Sequence, residues 1–270
     1  MLEKIRVTAN FLKERFKVSP EAGVILGTGL GGLVKEIRII DSVLYNEIPN
    51  FPVSTVDGHA GRLIYGKVGN KNILAMQGRF HYYEGYTMKE VTFPIRVMKF
   101  MGITHLFVSN ASGGLNPDWQ VGDIVIISDH INFFPENPLY GSNDSELGFR
   151  FPDMSKVYDE HLRNKARLIA LENNIILREG VYTGVQGPAY ETPAEYKMFR
   201  LLGGDIIGMS TIPEVIVAKH MGLRIFGISI ITDSGVPGRI VEISHEEVQQ
   251  AAMKAEPDMT FMMKKLIESI

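Results

Sequence analysis

The chain contains no cysteine, so neither a disulfide framework nor thiolate chemistry is open to it. Its 28 Lys and Arg are outnumbered by 31 Asp and Glu, which leaves a net charge of −3. That balance lacks the basic excess a nucleic-acid or anionic-membrane partner requires, and any bound anion must be held by local groups. The longest apolar runs, such as 124–127 and 225–231, fall far short of the ~20 residues that span a bilayer. The first residues carry no apolar core of signal-peptide type. Leu2, Ile5, Ala9, Leu12 and Phe16 instead recur at helical spacing, and the expectation is a cytoplasmic protein. Also missing are H-E-x-x-H, a Cys/His cluster and EF-hand spacing, so no metal is implied. Neither a G-x-S-x-G elbow nor a Walker lysine occurs.

What is present suits a packed core: 45% of the 270 residues are hydrophobic and 22% are charged. No internal repeat, low-complexity tract or linker breaks the chain, and one domain over 1–270 is expected. Short β-branched runs recur at 24–26, 62–68, 73–76, 106–109, 124–128, 175–182 and 223–232. Capping boxes mark helix starts at Thr87 with Glu90, Thr192 with Glu195, and Ser244 with Glu247. Thr211-Ile212-Pro213-Glu214 opens another helix, ending near Gly222. Strands alternating with helices predict an α/β sheet covered on both faces, made mixed by hairpin-like pairs.

Ligands of such sheets sit where strands pass into loops and helix starts, and those places are glycine-rich here. Gly27, Gly29 and Gly32 match G-x-G-x-x-G after a strand, with Thr28 among them; the turn suits an anion, or is simply tight. Around Arg79, His81 and Glu84, a guanidinium, an imidazole and a carboxylate flanked by glycines suit an oxyanion, or form a surface ion cluster. The run 109–114 is a strand end of small residues, including Ala111, where a ligand could touch backbone. Tyr190 and Glu191 offer an aromatic face and a carboxylate just before a capped helix; they suit a purine base, or Glu191 merely favours the helix N-terminus. Ser210 is either an anion ligand or a simple cap. Thr232 and Asp233 close the last long strand with a carboxylate.

Taken in this order, these segments resemble the trimeric purine nucleoside phosphorylases of the purine nucleoside and methylthioadenosine phosphorylase family. The likeness extends through 48–52, 58–61, 150–152 and 244–247 and covers nearly the whole chain. It implies a central mixed, barrel-like sheet surrounded by helices, and a homotrimer. It also implies a phosphate site on Thr28, His59, Arg79, His81, Ala111 and Ser210. Ribose contacts would be Tyr83 and Met209, with His245 at the 5′-hydroxyl and Phe151 covering a neighbouring subunit's site. Tyr190, Glu191, Ile207, Thr232 and Asp233 would surround the purine. Asp233, His81 and Glu84 are the groups expected to act in catalysis.

The implied reaction is phosphorolysis of purine ribonucleosides or deoxyribonucleosides in purine salvage. Inorganic phosphate is the co-substrate and no cofactor is needed. Two positions depart from the family pattern. A serine is frequent where Thr28 stands, and the hydroxyl is kept. An asparagine is common where Asp233 stands; methylthioadenosine phosphorylases carry aspartate there but generally lack the equivalents of Glu191 and His245. Inosine and guanosine are therefore the expected substrates, with adenosine cleavage beside them. The alternatives are a methylthioadenosine or methylthioinosine phosphorylase and, from another class, a non-catalytic nucleoside-binding protein. A nucleoside hydrolase would want an N-terminal aspartate cluster, whereas Asp41 is the sole aspartate among the first 50 residues. A nicotinamide dehydrogenase rests on the single glycine match.

Overall fold

The computed structural model describes residues 1–27, 31–53, 61–242 and 244–270. Thr28 and His59 lie outside the described residues, and of His245 only the backbone is described. The amphipathic N-terminus forms α1 (Leu2–Phe16), which buries Ile5, Ala9, Leu12 and Phe16 as its spacing predicts. The chain continues through β1 (Ala22–Leu26), α2 (Leu33–Glu36), β2 (Arg38–Leu44), β3 (Arg62–Val68), β4 (Lys71–Gln77), α3 (Met88–Val91), α4 (Phe93–Met101), β5 (His105–Gly114) and β6 (Ile124–Asn132). It ends with α5 (Glu160–Glu172), β7 (Leu177–Gly184), α6 (Pro193–Leu201), β8 (Ile206–Gly208), α7 (Ile212–His220), β9 (Arg224–Ser234) and α8 (His245–Glu268). The boxes at Thr87, Thr192 and Ser244 form reciprocally at the starts of α3, α6 and α8.

The nine strands form one mixed sheet in the order β2-β3-β4-β1-β5-β8-β7-β6-β9, and β9 also pairs with β5. That last pairing closes β5, β8, β7, β6 and β9 into a ring, the barrel-like half of the sheet. Closure removes two edges that would otherwise expose unpaired backbone groups. β1 runs parallel to β4 and β5, and β5 parallel to β9, so Leu26, Gln77, Gly114 and Ser234 all end at the same edge. β1, near the middle of the sheet, is apolar and buried at every residue, as a strand covered on both faces should be.

Two strands are missing from the sequence reading and a third is displaced. β2, missed, pairs antiparallel with β3 at the sheet's margin and is mostly exposed, and its apolar residues Ile39, Ile40, Val43 and Leu44 do not alternate along the strand. β8 spans three residues, too few to show a period. The strand expected at 175–182 begins and ends two residues later, because Ile175 closes the turn after α5 through Ala170.

Candidate active site

At the common edge of β4, β5 and β9 lies a cleft lined by Arg79, His81, Tyr83, 110–113, Tyr190, Glu191, 207–210, Thr232, Asp233 and Val248. Its two ends are built differently.

The cationic end follows β4. Gly78 turns the chain at φ 103° and its carbonyl accepts from the buried Tyr45 hydroxyl (2.8 Å). The turn drives Arg79 inward until it is 2% exposed. Its Nη1 donates to Ser210 Oγ (2.8 Å), and Nε lies 3.2 Å from Glu214 Oε1, itself buried in the first turn of α7. A buried guanidinium without a counter-charge would be costly, and Glu214 supplies it. His81 Nδ1 lies 3.0 Å from Glu84 Oε1, which also accepts the His81 backbone N–H at 2.7 Å. The imidazole is thus clamped from behind, and its ring stacks on Tyr83 at 4.7 Å. Burial and the neighbouring Glu84 push the Tyr83 phenol up to about 12.

Ser210 owes its position to an unusual residue. Thr211 holds φ 70°, ψ −54°, a region that β-branched residues seldom occupy. Asn110 Nδ2 donates to Thr211 Oγ1 (2.8 Å), and Asn110 Oδ1 accepts from Ser229 Oγ (2.6 Å). The Thr211 side chain makes no cap bond to α7. Held this way, it turns Ser210 toward Arg79, so Ser210 is an arginine partner in the cleft and not a cap. Gly27 has a packing reason of its own, since a Cβ there would meet the Ser109 carbonyl at 2.4 Å.

The base-facing end follows β9. The β5–β9 pairing shifts register between Ser112 and Gly113, which face Ile231 and Asp233 respectively. Thr232 is the extra residue of a bulge. Consecutive strand residues normally face opposite sides; the bulge lets Thr232 and Asp233 both line the cleft. Thr232 Oγ1 lies 3.0 Å from Asp233 Oδ1. A Cβ on Gly113 would come within 2.9 Å of Asp233 Oδ2, so glycine leaves room for the carboxyl. Burial raises the Asp233 carboxyl above its ordinary range, partly offset by the Thr232 and Tyr196 hydroxyls. Burial raises Glu191 as well, and the nearby Asp233 adds to it.

The model of the phosphorylase superfamily matches residues 21–268. Purine nucleoside phosphorylase 1 of Geobacillus stearothermophilus is 50% identical over 98% of this chain and 97% of its own length. Isoform 2 of the Schistosoma mansoni purine nucleoside phosphorylase, solved with cytosine and ribose-1-phosphate, superposes with a TM-score of 0.94 at 43% identity, covering 98% of this chain and 95% of its own. Another structure of a purine nucleoside phosphorylase from that organism, with adenosine, gives 0.92 at 41% identity over 99% and 97%. The chain belongs to the phosphorylase superfamily. Its similar relatives are purine nucleoside phosphorylases along nearly their whole length.

Of the residues that sequence singled out for this superfamily's chemistry, Arg79, His81, Tyr83, Ala111, Tyr190, Glu191, Ile207, Met209, Ser210, Thr232 and Asp233 come together in the cleft. Glu84 does not line it. It lies behind His81, bonded to its ring and its backbone N–H. Phe151 is 86% exposed and lines a separate hollow with Tyr140, Arg150 and Met154; it is not part of this chain's own cleft. Asn110, Glu214, Thr211, Tyr196 and Val248 were not singled out. Among the described residues no helix is long and apolar enough to cross a membrane, and no group of three His, Cys, Asp or Glu is placed to hold a metal ion.

Proposed function

We propose that the chain cleaves the N-glycosidic bond of purine nucleosides with inorganic phosphate, releasing free base and ribose 1-phosphate. The observation that carries this reading is one cleft with a buried guanidinium and a clamped imidazole at one end and two half-buried carboxyls at the other. The first end suits a phosphate oxyanion, the second a purine edge.

In this scheme Arg79, His81, Ser210 and the backbone at Ala111 hold hydrogen phosphate beneath the sugar, with Thr28 and His59 completing the site. As the C1′–N9 bond lengthens, its electron pair moves onto the purine and the ribose gains oxocarbenium character. A phosphate oxygen then forms the new bond to C1′. Positioning and charge complementarity supply the rate, and no protein nucleophile is required. Asp233, in its protonated form, donates its proton to N7 of the leaving base. The proton it later regains balances the one phosphate gives up, and every role falls to the chain or to phosphate itself, without a cofactor.

Glu191, ionised, accepts the N1–H of a 6-oxopurine, which favours inosine and guanosine. Asp233, when ionised, accepts from a 6-amino group, so adenosine is a secondary substrate. Tyr83 and Met209 contact the ribose and His245 its 5′-hydroxyl. Phe151, standing out with Tyr140 and Phe149, completes a neighbour's site in a homotrimer of the cytoplasm, formed from single domains over 1–270. Asp233 favours a second reading, a phosphorylase of 5′-methylthio nucleosides, which Glu191 opposes.

The test is incubation with inosine, with and without phosphate. Hypoxanthine and ribose 1-phosphate should form only with phosphate. Hypoxanthine with free ribose would mean hydrolysis, and no cleavage of any purine nucleoside would leave a binding protein.

A further inference from the structure

The glycine turn that follows β1 is anchored at both ends by groups distant in the chain. At its start the Gly27 N–H donates to Ser109 Oγ (3.2 Å), and Ser109 Oγ donates in turn to the Ile25 carbonyl (3.0 Å). A Cβ on Gly27 would stand 3.3 Å from Arg79 Nη1, so this end abuts the cationic end of the cleft. At the far end the Gly32 N–H donates to Glu256 Oε1 on α8 (2.5 Å). Residues 28–31 lie between the two anchors, and the first of them is Thr28, the proposed phosphate ligand.

Glu256 stands in for a cap that the local sequence does not supply. α2 is a single turn of four residues with Gly32 at its N-cap, and glycine has no side chain to accept the free N–H groups of a helix start. A carboxylate 224 residues away accepts instead. The approach is close: a Cβ on Gly32 would come within 3.1 Å of Glu256 Cδ and 3.2 Å of Thr260 Oγ1. Gly32 holds φ −62°, ψ −32°, which any residue adopts, so the nearness of α8 and not the backbone favours glycine there. Two turns further along α8, Lys264 Nζ pairs with Glu36 Oε2 at the end of α2 (2.6 Å). The helix that provides these contacts is itself fixed, since Met259, Met263 and Ile267 are buried in the core beneath it.

We propose that Glu256 is a positioning residue for the phosphate end: by accepting the Gly32 N–H it fixes where the turn ends, and hence where Thr28 presents its hydroxyl. Glu256 lies outside the cleft lining and reaches phosphate only through the turn. The proposal rests on the phosphate-site reading above.

Glu256→Ala removes the acceptor. It should raise the phosphate KM by about five- to tenfold, while the inosine KM and the kcat at saturating phosphate stay within about twofold. Glu256→Gln keeps an oxygen that accepts the N–H and should recover most of that loss. Added to Thr28→Ala, Glu256→Ala should cost little beyond Thr28→Ala alone, because its effect passes through Thr28. A phosphate KM unchanged by Glu256→Ala, a Gln variant as impaired as the Ala variant, or losses that multiply in the double variant would overturn the proposal. Amide exchange of Gly32, read by NMR on the substrate-free protein, needs neither turnover nor phosphate. The wild-type amide should be protected, Glu256→Ala should lose that protection, and Glu256→Gln should keep it. An unprotected wild-type amide would refute the tie even if Glu256→Ala failed to fold. Should calorimetry show that the wild type binds no phosphate while the amide behaves as expected, the phosphate-site reading fails and the tie stands. Should wild type and Glu256→Ala bind phosphate equally, that reading stands and the proposal fails.

Discussion

The two ends of the cleft solve opposite electrostatic problems. At one end Arg79 is a buried cation supplied with a buried counter-charge, Glu214 at 3.2 Å. Its charge is fixed, and its bond to Ser210 sets its direction. At the other end Asp233 and Glu191 are half-buried acids, and each is raised by partial desolvation. The first end is built to keep one charge state and the second to change it. Phosphate enters the reaction as an anion and remains one, whereas the base must gain a proton as it leaves.

This contrast yields unequal sensitivities. Arg79→Ala should have the largest effect. Losing a charge-assisted contact worth roughly 1.5–3 kcal/mol should raise the phosphate KM by about ten- to a hundredfold, and Glu214 is left buried without its partner. Initial rates at varied phosphate would show this, and an unchanged phosphate KM would remove Arg79 from the anion site. Asp233→Asn should come next, lowering adenosine kcat/KM by about tenfold or more while inosine falls far less, since an amide still donates to the 6-oxo edge. Glu84→Gln should be milder. The amide still accepts from His81 but no longer as an anion, and a loss of a few-fold in kcat/KM is expected.

The smallest effect concerns stability. Asp233 ionises less readily in the folded chain than in the unfolded one. Its stabilising contribution is therefore complete below the ordinary carboxylate range near pH ~4 and is lost as pH rises through its raised folded value. Asp233→Asn removes that loss. Its melting temperature relative to wild type should improve as the pH is raised from about 5 to about 8. A difference that stays constant with pH, or turns against the variant, would mean that Asp233 is ionised at no cost.

Much of this division was legible in the sequence because strand ends, glycines and capping boxes are local signals. Gly78, Arg79 and His81 follow directly on an apolar run, and Thr192 with Glu195 announces the helix after Glu191. What escaped depends on long-range register. The bulge at Thr232 exists only once β9 meets β5. Asn110, reading as one more small polar residue at a strand end, becomes the clamp on Thr211 through contacts more than a hundred residues away. Tyr196 occupies an apolar-face position of an amphipathic helix, where a tyrosine reads as core. Glu214 falls in a segment that opens a helix, and its pairing with Arg79 appears only in three dimensions.

The central claim, that one end handles phosphate and the other the base, is tested most directly by crossing the two substitutions with the two substrates. The phosphate KM and the adenosine-to-inosine ratio of kcat/KM would be measured for wild type, Arg79→Ala and Asp233→Asn. Arg79→Ala should raise the phosphate KM by a similar factor with either nucleoside and leave the ratio in place. Asp233→Asn should lower the ratio and leave the phosphate KM in place. A ratio that moves with Arg79, or a phosphate KM that moves with Asp233, would contradict the separation of the two ends.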